Sequence, residues 1–364
     1  MFNLQKFSPR SFDWQLALAA LFLIALGLAA IYSVDLSRGP ELNYFKKQLI
    51  ALALGLVLFF WASTLQYTFF RTSAKWWYLL AVFLLLAVLV VGQKIRGTTG
   101  WFVAGGYSFQ PVELAKVAII LLMAYIIARF GRRFERPLFF FGTGAISLIM
   151  IILVMLQPDL GSAVLLGLIW FGLVYLVGAR RLYVLGFIGA MIVIAVLAWS
   201  FLLQNYQKSR VLNFINPERD PLGSGYNITQ SLIAVGSGQL LGRGLGFGSQ
   251  SQLRFLPEAQ TDFVFSVISE EMGFVGAAGV VILFGVIFWR LIVCIRTSHD
   301  DFTAAVLNGI LILFFSQFVI NIGANLGLLP VTGVTLPFIS YGGSSLIMNL
   351  LLLGIAESMM VRRY

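Results

Sequence analysis

Apolar residues in this chain come in blocks too long for strands and too evenly apolar for the one-sided helices of a water-soluble fold. Ten such blocks stand near residues 14 to 34, 46 to 64, 76 to 92, 111 to 129, 139 to 156, 160 to 177, 181 to 203, 263 to 295, 302 to 327 and 338 to 361. Most run about 17 to 25 residues, which at about 1.5 Å per residue carries an α-helix across a hydrocarbon layer of about 30 Å. Their flanks hold Gly, Pro, Trp and Arg, as helix ends at a membrane surface do, and they lack the alternation of barrel strands. The pattern predicts an all-α, polytopic membrane protein of about ten transmembrane helices. We read it as a single transmembrane domain over 1–364, without internal repeat, low-complexity tract or soluble domain at either end. The first block follows Lys6 and Arg10, as a signal peptide would, but its apolar run is long and further spans follow, so it is expected to be retained.

Composition agrees. Of 364 residues, 59% are hydrophobic and 11% charged, too few polar groups to cover a water-soluble globule of this size. An even number of spans puts both tails on one side. That side and its connections hold fourteen Lys and Arg: Lys6, Arg10, Arg71, Lys75, Arg129, Arg132, Arg133, Arg136, Arg180, Arg181, Arg290, Arg296, Arg362 and Arg363. The short connections opposite hold five, Arg38, Lys46, Lys47, Lys94 and Arg96, so both termini are expected in the cytoplasm. The net charge of +10 is largely this excess facing anionic lipid, and nothing suggests a nucleic-acid partner. The single cysteine, Cys294, falls inside a predicted span, so the outer loops carry no internal disulfide. The single histidine, His299, falls on the cytoplasmic side, which removes His-based triads and zinc sites from the outer face.

Two outer connections are long, 93 to 110 and the extracytoplasmic loop 204 to 262, and long loops in compact domains usually carry function. Within the second, Tyr226 to Val235 reads as a short amphipathic helix with Ile228, Leu232 and Val235 at helical spacing, expected to rest on the membrane. Asn227-Ile-Thr229 matches a glycosylation sequon, a pattern short enough to arise by chance. Gly242, Gly244, Gly246 and Gly248 mimic a nucleotide loop, but no strand precedes them and no βαβ unit surrounds them. Alternate glycines instead let a backbone pass close to a headgroup or to another loop.

Several polar residues stand where an apolar chain has least use for them. Pro111-Val-Glu113-Leu-Ala-Lys116 puts a carboxylate and an ammonium one turn apart on nearly the same helix face. Either they form a paired site, or Glu113 complements the positive helix N-terminus while Lys116 snorkels. Asp262 opens an apolar run after Pro257-Glu-Ala-Gln-Thr261. It either caps a helix or, half desolvated, is ionised yet basic enough to take a hydroxyl proton. Glu270 and Glu271, two turns deeper, are expected to satisfy partners between helices. In Gln157-Pro-Asp159-Leu-Gly161-Ser162 the turn formers explain the bend and Asp159 is surplus. Gln317, Asn321 and Asn325 recur every four residues as a polar stripe, either a path or interhelical glue. The uncharged segment Leu329 to Ser345, with Thr332, Ser340, Ser344 and Ser345, is either a tight reentrant connection or a surface where free N–H groups and small residues admit a phosphate or sugar. Carboxylates, arginines, one lysine, hydroxyls and glycines suit a reaction in which a carboxylate deprotonates a hydroxyl while cations hold an anionic leaving group. A sugar polymerised from a lipid pyrophosphate donor matches that inventory.

Leu329 to Ser345, together with Pro257 to Gly276, Gln157 to Ser162 and Pro111 to Lys116, resembles the SEDS peptidoglycan polymerases over nearly the whole chain. The short N-terminal tail and the spacing are closer to the elongation (RodA) type than to the division type. The resemblance implies a multi-pass enzyme of the bacterial inner membrane that joins lipid II into β-1,4 glycan strands on its periplasmic face during elongation and rod-shape maintenance. It implies a class B penicillin-binding protein (PBP2 type) and other elongation-complex proteins as partners. On that pattern Asp262 matches the essential outer aspartate, Glu113 and Lys116 the charged pair of the fourth span, and Arg210 a basic position in the large loop. Substrate-binding roles are expected for Arg210, Asp159, Gln157, Ser344, Ser345, Thr332 and Asn325. Glu113 would orient Lys116 and help bind a divalent cation (Mg or Mn), although the sequence fixes no metal site. Two rivals are a lipid II flippase, which expects related halves and a midplane site, and a non-catalytic scaffold for the penicillin-binding protein.

Overall fold

The computed structural model describes residues 12–39, 41–95, 97–130, 134–202, 208, 212, 214 and 224–360. Each of the ten apolar blocks holds a helix. They are α1 (Trp14–Leu36), α2 (Asn43–Thr64), α3 (Tyr67–Val91), α4 (Pro111–Phe130), α5 (Pro137–Met155), α6 (Leu160–Leu176), α7 (Arg181–Leu197), α10 (Val264–Arg296), α11 (Asp301–Asn325) and α12 (Gly343–Met360). Eight are long and apolar enough to cross a membrane, and α6 and the described part of α7 are apolar but shorter. The protein is therefore a multi-pass membrane protein. A π-helical turn, Ala198–Leu202, follows α7, and the large loop holds two further α-helices, α8 (Ser224–Ser237) and α9 (Ser249–Gln252). The main boundary shift is at α3, which starts at Tyr67 because the helix continues past the apolar slab through Arg71 and Lys75.

Helix starts follow local chemistry. Asp13, Asp159 and Asp300 cap α1, α6 and α11 by accepting from the Leu16, Ser162 and Thr303 amides at 3.2, 3.0 and 3.0 Å. Helix α4 begins with a proline, whose missing N–H costs nothing there. It runs through the middle of the bundle against α3, α5, α6, α11 and α12. Every residue from Pro111 to Ala124 is buried. At the far end Arg290 of α10 grips Asp13 with a two-pronged ion pair, 2.9 Å from Nε and 2.6 Å from NH2 to Oδ2. Glu357 of α12 accepts from the Asp13 amide at 3.2 Å, so the start of α1 and the end of α12 lie at the same end of the bundle.

The connection 93–110 is not a plain loop. It folds as an antiparallel three-stranded sheet, β1 (Gln93–Ile95), β2 (Thr98–Ala104) and β3 (Tyr107–Phe109) in the order β1-β2-β3. Phe102 faces Phe109 and Ala104 faces Tyr107 across a turn at Gly105 and Gly106, whose φ of 57° and 78° only glycine adopts freely.

Helix α10 is broken at Gly273 (φ 66°, ψ −162°). The backbone groups freed by the break are taken up by residues 239–244. Arg243 and Gly244 donate to the Glu270 and Glu271 carbonyls at 3.0 and 2.9 Å, while Phe274 and Val275 donate to Gln239 and Leu240 at 2.8 and 3.2 Å. A methyl group at Gly242 would overlap the Glu271 carbonyl oxygen. The glycine run thus serves a close approach between backbones. As expected, Glu270 and Glu271 satisfy partners between elements. Glu270 accepts from the Gln250 amide at 2.9 Å, and Glu271 accepts from the Ser33 and Ser251 hydroxyls at 2.6 and 2.8 Å.

Helix α8 forms where the amphipathic pattern placed it, but with a different inner face. Ile228, Ser231 and Ala234 are buried against α10, while Leu232 and Ile233 are exposed. Ser231 decides the rotation, because its hydroxyl lies 2.6 Å from that of Ser266 and donates to the Asn325 carbonyl at 2.8 Å.

Candidate functional site

The first turn of α4, the loop before α6, the entry to α10 and the irregular chain 326–342 converge at the end of the bundle that carries the sheet. Between them lies a cavity of about 230 Å³ lined by Glu113, Lys116, Asp159, Asp262, Gln317 and Thr332, with Ser344 and Ser345 on its wall. Most of the residues singled out in the sequence therefore meet in one place, although they come from five separate stretches of chain.

Glu113 and Lys116 are a true pair. Lys116 Nζ stands 2.8 Å from Glu113 Oε2, and both side chains are buried, at 3% and 7% exposure. Lysine does not snorkel here; its ammonium is held inside the protein by the carboxylate one turn above. That bond uses one of the three ammonium donors, and Lys116 itself lines the cavity.

Asp262, half-buried, lines the same cavity. The residue before α10 is Phe263, whose side chain makes no cap, and the chain through Asp262 is held by its backbone. Asn325 Nδ2 and Asn321 Nδ2 both donate to the Asp262 carbonyl, at 2.8 and 3.1 Å. Asn325 Oδ1 accepts from the Ser266 amide and hydroxyl at 3.1 and 2.7 Å. Asn325, expected to bind substrate, stands behind the wall and positions the aspartate. The same clamp reaches residues 330–345. Asn321 also donates to the Val334 carbonyl at 2.9 Å, and Ser340 donates to the Thr261 carbonyl at 2.7 Å.

Asp159 lines the cavity while capping α6; its oxygens accept from the Ser162 amide and hydroxyl at 3.0 and 2.8 Å and from Gln110 Nε2 at 3.1 Å. Ser344 accepts from the Gln110 amide at 3.1 Å, and the Ser345 hydroxyl lies 3.1 Å from that of Thr335. Gln157 is outside the lining, contrary to expectation: its Nε2 turns to the Leu85 carbonyl at 3.4 Å, because the sharp bend at Pro158 directs it to α3. Arg210 lies outside the described residues. Sequence reasoning missed Trp101, Thr98 and Gln110, brought to the rim by the sheet, and Tyr341. The glycine pair between two aromatic runs was the signal for that sheet.

Among the described residues no three His, Cys, Asp or Glu side chains come close enough to hold an ion by themselves. Glu113, moreover, is already neutralised by Lys116. What the cavity offers is a cation for an anionic group, a carboxylate on a fixed backbone, and neutral donors and acceptors between them.

The family model described as "Cell cycle protein", FtsW/RodA/SpoVE, matches residues 13–364. A protein of Thiomicrospira cyclica named probable peptidoglycan glycosyltransferase FtsW is 36% identical, over 98% of this chain and 93% of its own. Peptidoglycan glycosyltransferase MrdB of Escherichia coli K12 is also 36% identical, over 94% of this chain and 92% of its own. Among solved structures, a chain from a study of structural coordination of polymerization and crosslinking by a peptidoglycan synthase complex aligns with a TM-score of 0.82 and 34% identity. That alignment covers 97% of this chain and 98% of the other.

Proposed function

Since the chain belongs to the FtsW/RodA/SpoVE family of cell cycle proteins, we propose that it is a peptidoglycan glycosyltransferase joining lipid II into β-1,4 glycan strands. The observation that carries this reading is the meeting of Asp262 with the buried Glu113–Lys116 pair around one cavity. Asp262 removes the proton from the 4-hydroxyl of the acceptor sugar. That oxygen then forms a bond to the anomeric carbon of the donor as the bond to pyrophosphate breaks, with inversion. Lys116, joined by Arg210 from the large loop, holds the departing charge. Asp159, Thr332, Ser344 and Ser345 contact the sugars and phosphates. A divalent cation taking part would be held by a carboxylate of the cavity lining and would add charge neutralisation at the leaving group.

The cavity faces the periplasm across a bacterial inner membrane, an orientation supported by the Lys and Arg excess of the opposite side. A class B penicillin-binding protein that crosslinks the new strand is the expected partner. This is supported by the similarity to a chain studied in a peptidoglycan synthase complex. We assign the elongation role on the sequence resemblance; equal identity to FtsW and MrdB relatives makes rod-shape rescue, without division rescue, its check. A flippase would carry its site near the midplane, whereas this cavity opens where α4 begins.

The test is Asp262→Asn in the purified chain with its partner and labelled lipid II. The variant inserts, binds the partner and makes no glycan. Glycan at the wild-type rate would remove Asp262 from the reaction.

A further inference from the structure

The polar stripe of α11 divides into two kinds of residue. Asn321 and Asn325 donate and accept across the helix interface, as described above. Gln317, one turn from Asn321, is fully buried, yet neither its Oε1 nor its Nε2 has a hydrogen-bond partner among the described residues. It lines the cavity. Its level is fixed by packing: a Cβ on Gly309 of α11 would meet Ile120 of α4 at 2.8 Å. About two turns onward along α11 stands Gln317, and about two turns back along α4 stands Glu113. The unpaired amide therefore lies at the depth of the Glu113–Lys116 pair. Thr332 Oγ1, also buried and unpartnered among the described residues, lines the same cavity.

Buried amides are nearly always hydrogen-bonded, so one left unpaired on a cavity wall is open to a partner that enters the cavity. The chemistry of that ligand follows from the amide. Phosphate accepts but does not donate, so it would satisfy Nε2 and leave Oε1 unpaired. An ammonium group donates but does not accept, and would be repelled by Lys116. A secondary amide offers both at once, its N–H to Oε1 and its C=O to Nε2. In the same lining, Leu165 and Val334 supply apolar wall for a methyl group.

We propose that Gln317 is a specificity-determining residue whose amide pairs with the 2-acetamido group of the sugar attached to the pyrophosphate held by Lys116. This rests on the lipid-linked sugar reading above and adds what that reading lacks, a group that tells an N-acetylated sugar from a 2-hydroxy or 2-amino one. A 2-hydroxyl reaches only one of the two amide atoms, and the other is left unsatisfied.

Two measurements test it. In the first, the purified chain with its partner polymerises lipid II carrying either a 2-acetamido or a 2-hydroxy group on the pyrophosphate-linked sugar. Wild type favours the acetamido substrate by about tenfold or more in kcat/KM. Gln317→Leu, or Gln317→Met where the shorter side chain fails to fold, abolishes that preference by losing rate on the acetamido substrate alone. A variant that keeps the wild-type ratio, whether fully active or slowed equally on both, overturns the proposal. In the second, the soluble headgroup mimics, 2-acetamido and 2-hydroxy sugar 1-pyrophosphates, are compared by the shift each gives in thermal midpoint. A larger shift with the acetamido mimic in wild type, equalised in Gln317→Met, upholds Gln317 even if no polymer forms; absence of polymer would instead count against the glycosyltransferase reading. Equal shifts in wild type overturn the proposal even if polymer forms.

Discussion

Asn325 holds Asp262 by the backbone, with its Nδ2 2.8 Å from the carbonyl of this cavity-lining aspartate. The proton acceptor in the proposed reaction is thus placed by a residue of α11 that does not itself line the cavity. Asn325→Leu should keep the carboxylate and lose its placement. Because misplacement by about 1 Å can cost about 100-fold in rate, polymerisation should fall by about 10- to 100-fold with partner binding intact. Initial rates on labelled lipid II check this, and a wild-type rate would show that the clamp does not matter.

The Glu113–Lys116 pair should separate stability from activity. Lys116→Met leaves Glu113 buried without its cation, and Glu113→Gln leaves Lys116 without its anion. Each should cost about 3 kcal/mol, the low end for a broken buried pair because the cavity admits water. The double variant Glu113→Gln/Lys116→Met should recover most of the thermal midpoint in detergent and none of the polymerisation. Recovery of both would mean the pair is structural only.

The clasp on the helix break should tolerate no side chain. Gly242→Ala brings a methyl group onto the Glu271 carbonyl at a φ of 81°, so a loss of about 3 kcal/mol or more is expected. Gly333→Ala has a similar φ of 76° but open space around it, and should lose only the conformational part, about 1 kcal/mol. Unfolding followed by intrinsic fluorescence should rank them in that order; equal losses would mean that the contact at Gly242 relaxes without cost.

At the far end of the bundle the Arg290–Asp13 pair offers a control. Arg290→Lys keeps the charge but not the two-pronged geometry, and should cost about 1–2 kcal/mol. Polymerisation per folded molecule should stay within about twofold, since the pair is remote from the cavity. A larger loss of specific activity would show coupling between the two ends.

How much of this was legible in the sequence varied with the physics involved. Spans were readable because burial in lipid demands a length and a composition, both of which survive in one dimension. Glu113 and Lys116 were readable because a charge inside an apolar helix is costly wherever the helix packs. The sheet at 93–110 was missed although Gly105-Gly106 announced a hairpin, because the surrounding apolar signal favoured helices. Gln317 and Asn325 could not be told apart, since spacing gives a shared face but not which member meets a neighbouring helix and which meets a space. The inner face of α8 turned on Ser231, a polar residue that an apolar count ignores. Gln157 sat in the right turn and pointed the wrong way, a matter of one backbone bend.

Helix α4 is enclosed along its first fourteen residues by five other helices. The bilayer is therefore not the medium in which Glu113 and Lys116 meet; their surroundings are protein, as in the interior of a water-soluble enzyme. Changing acyl-chain length or headgroup should act on how the whole molecule sits in the membrane and leave this charged pair almost untouched. An enzyme working on a lipid has in this way insulated its most exposed liability from lipid.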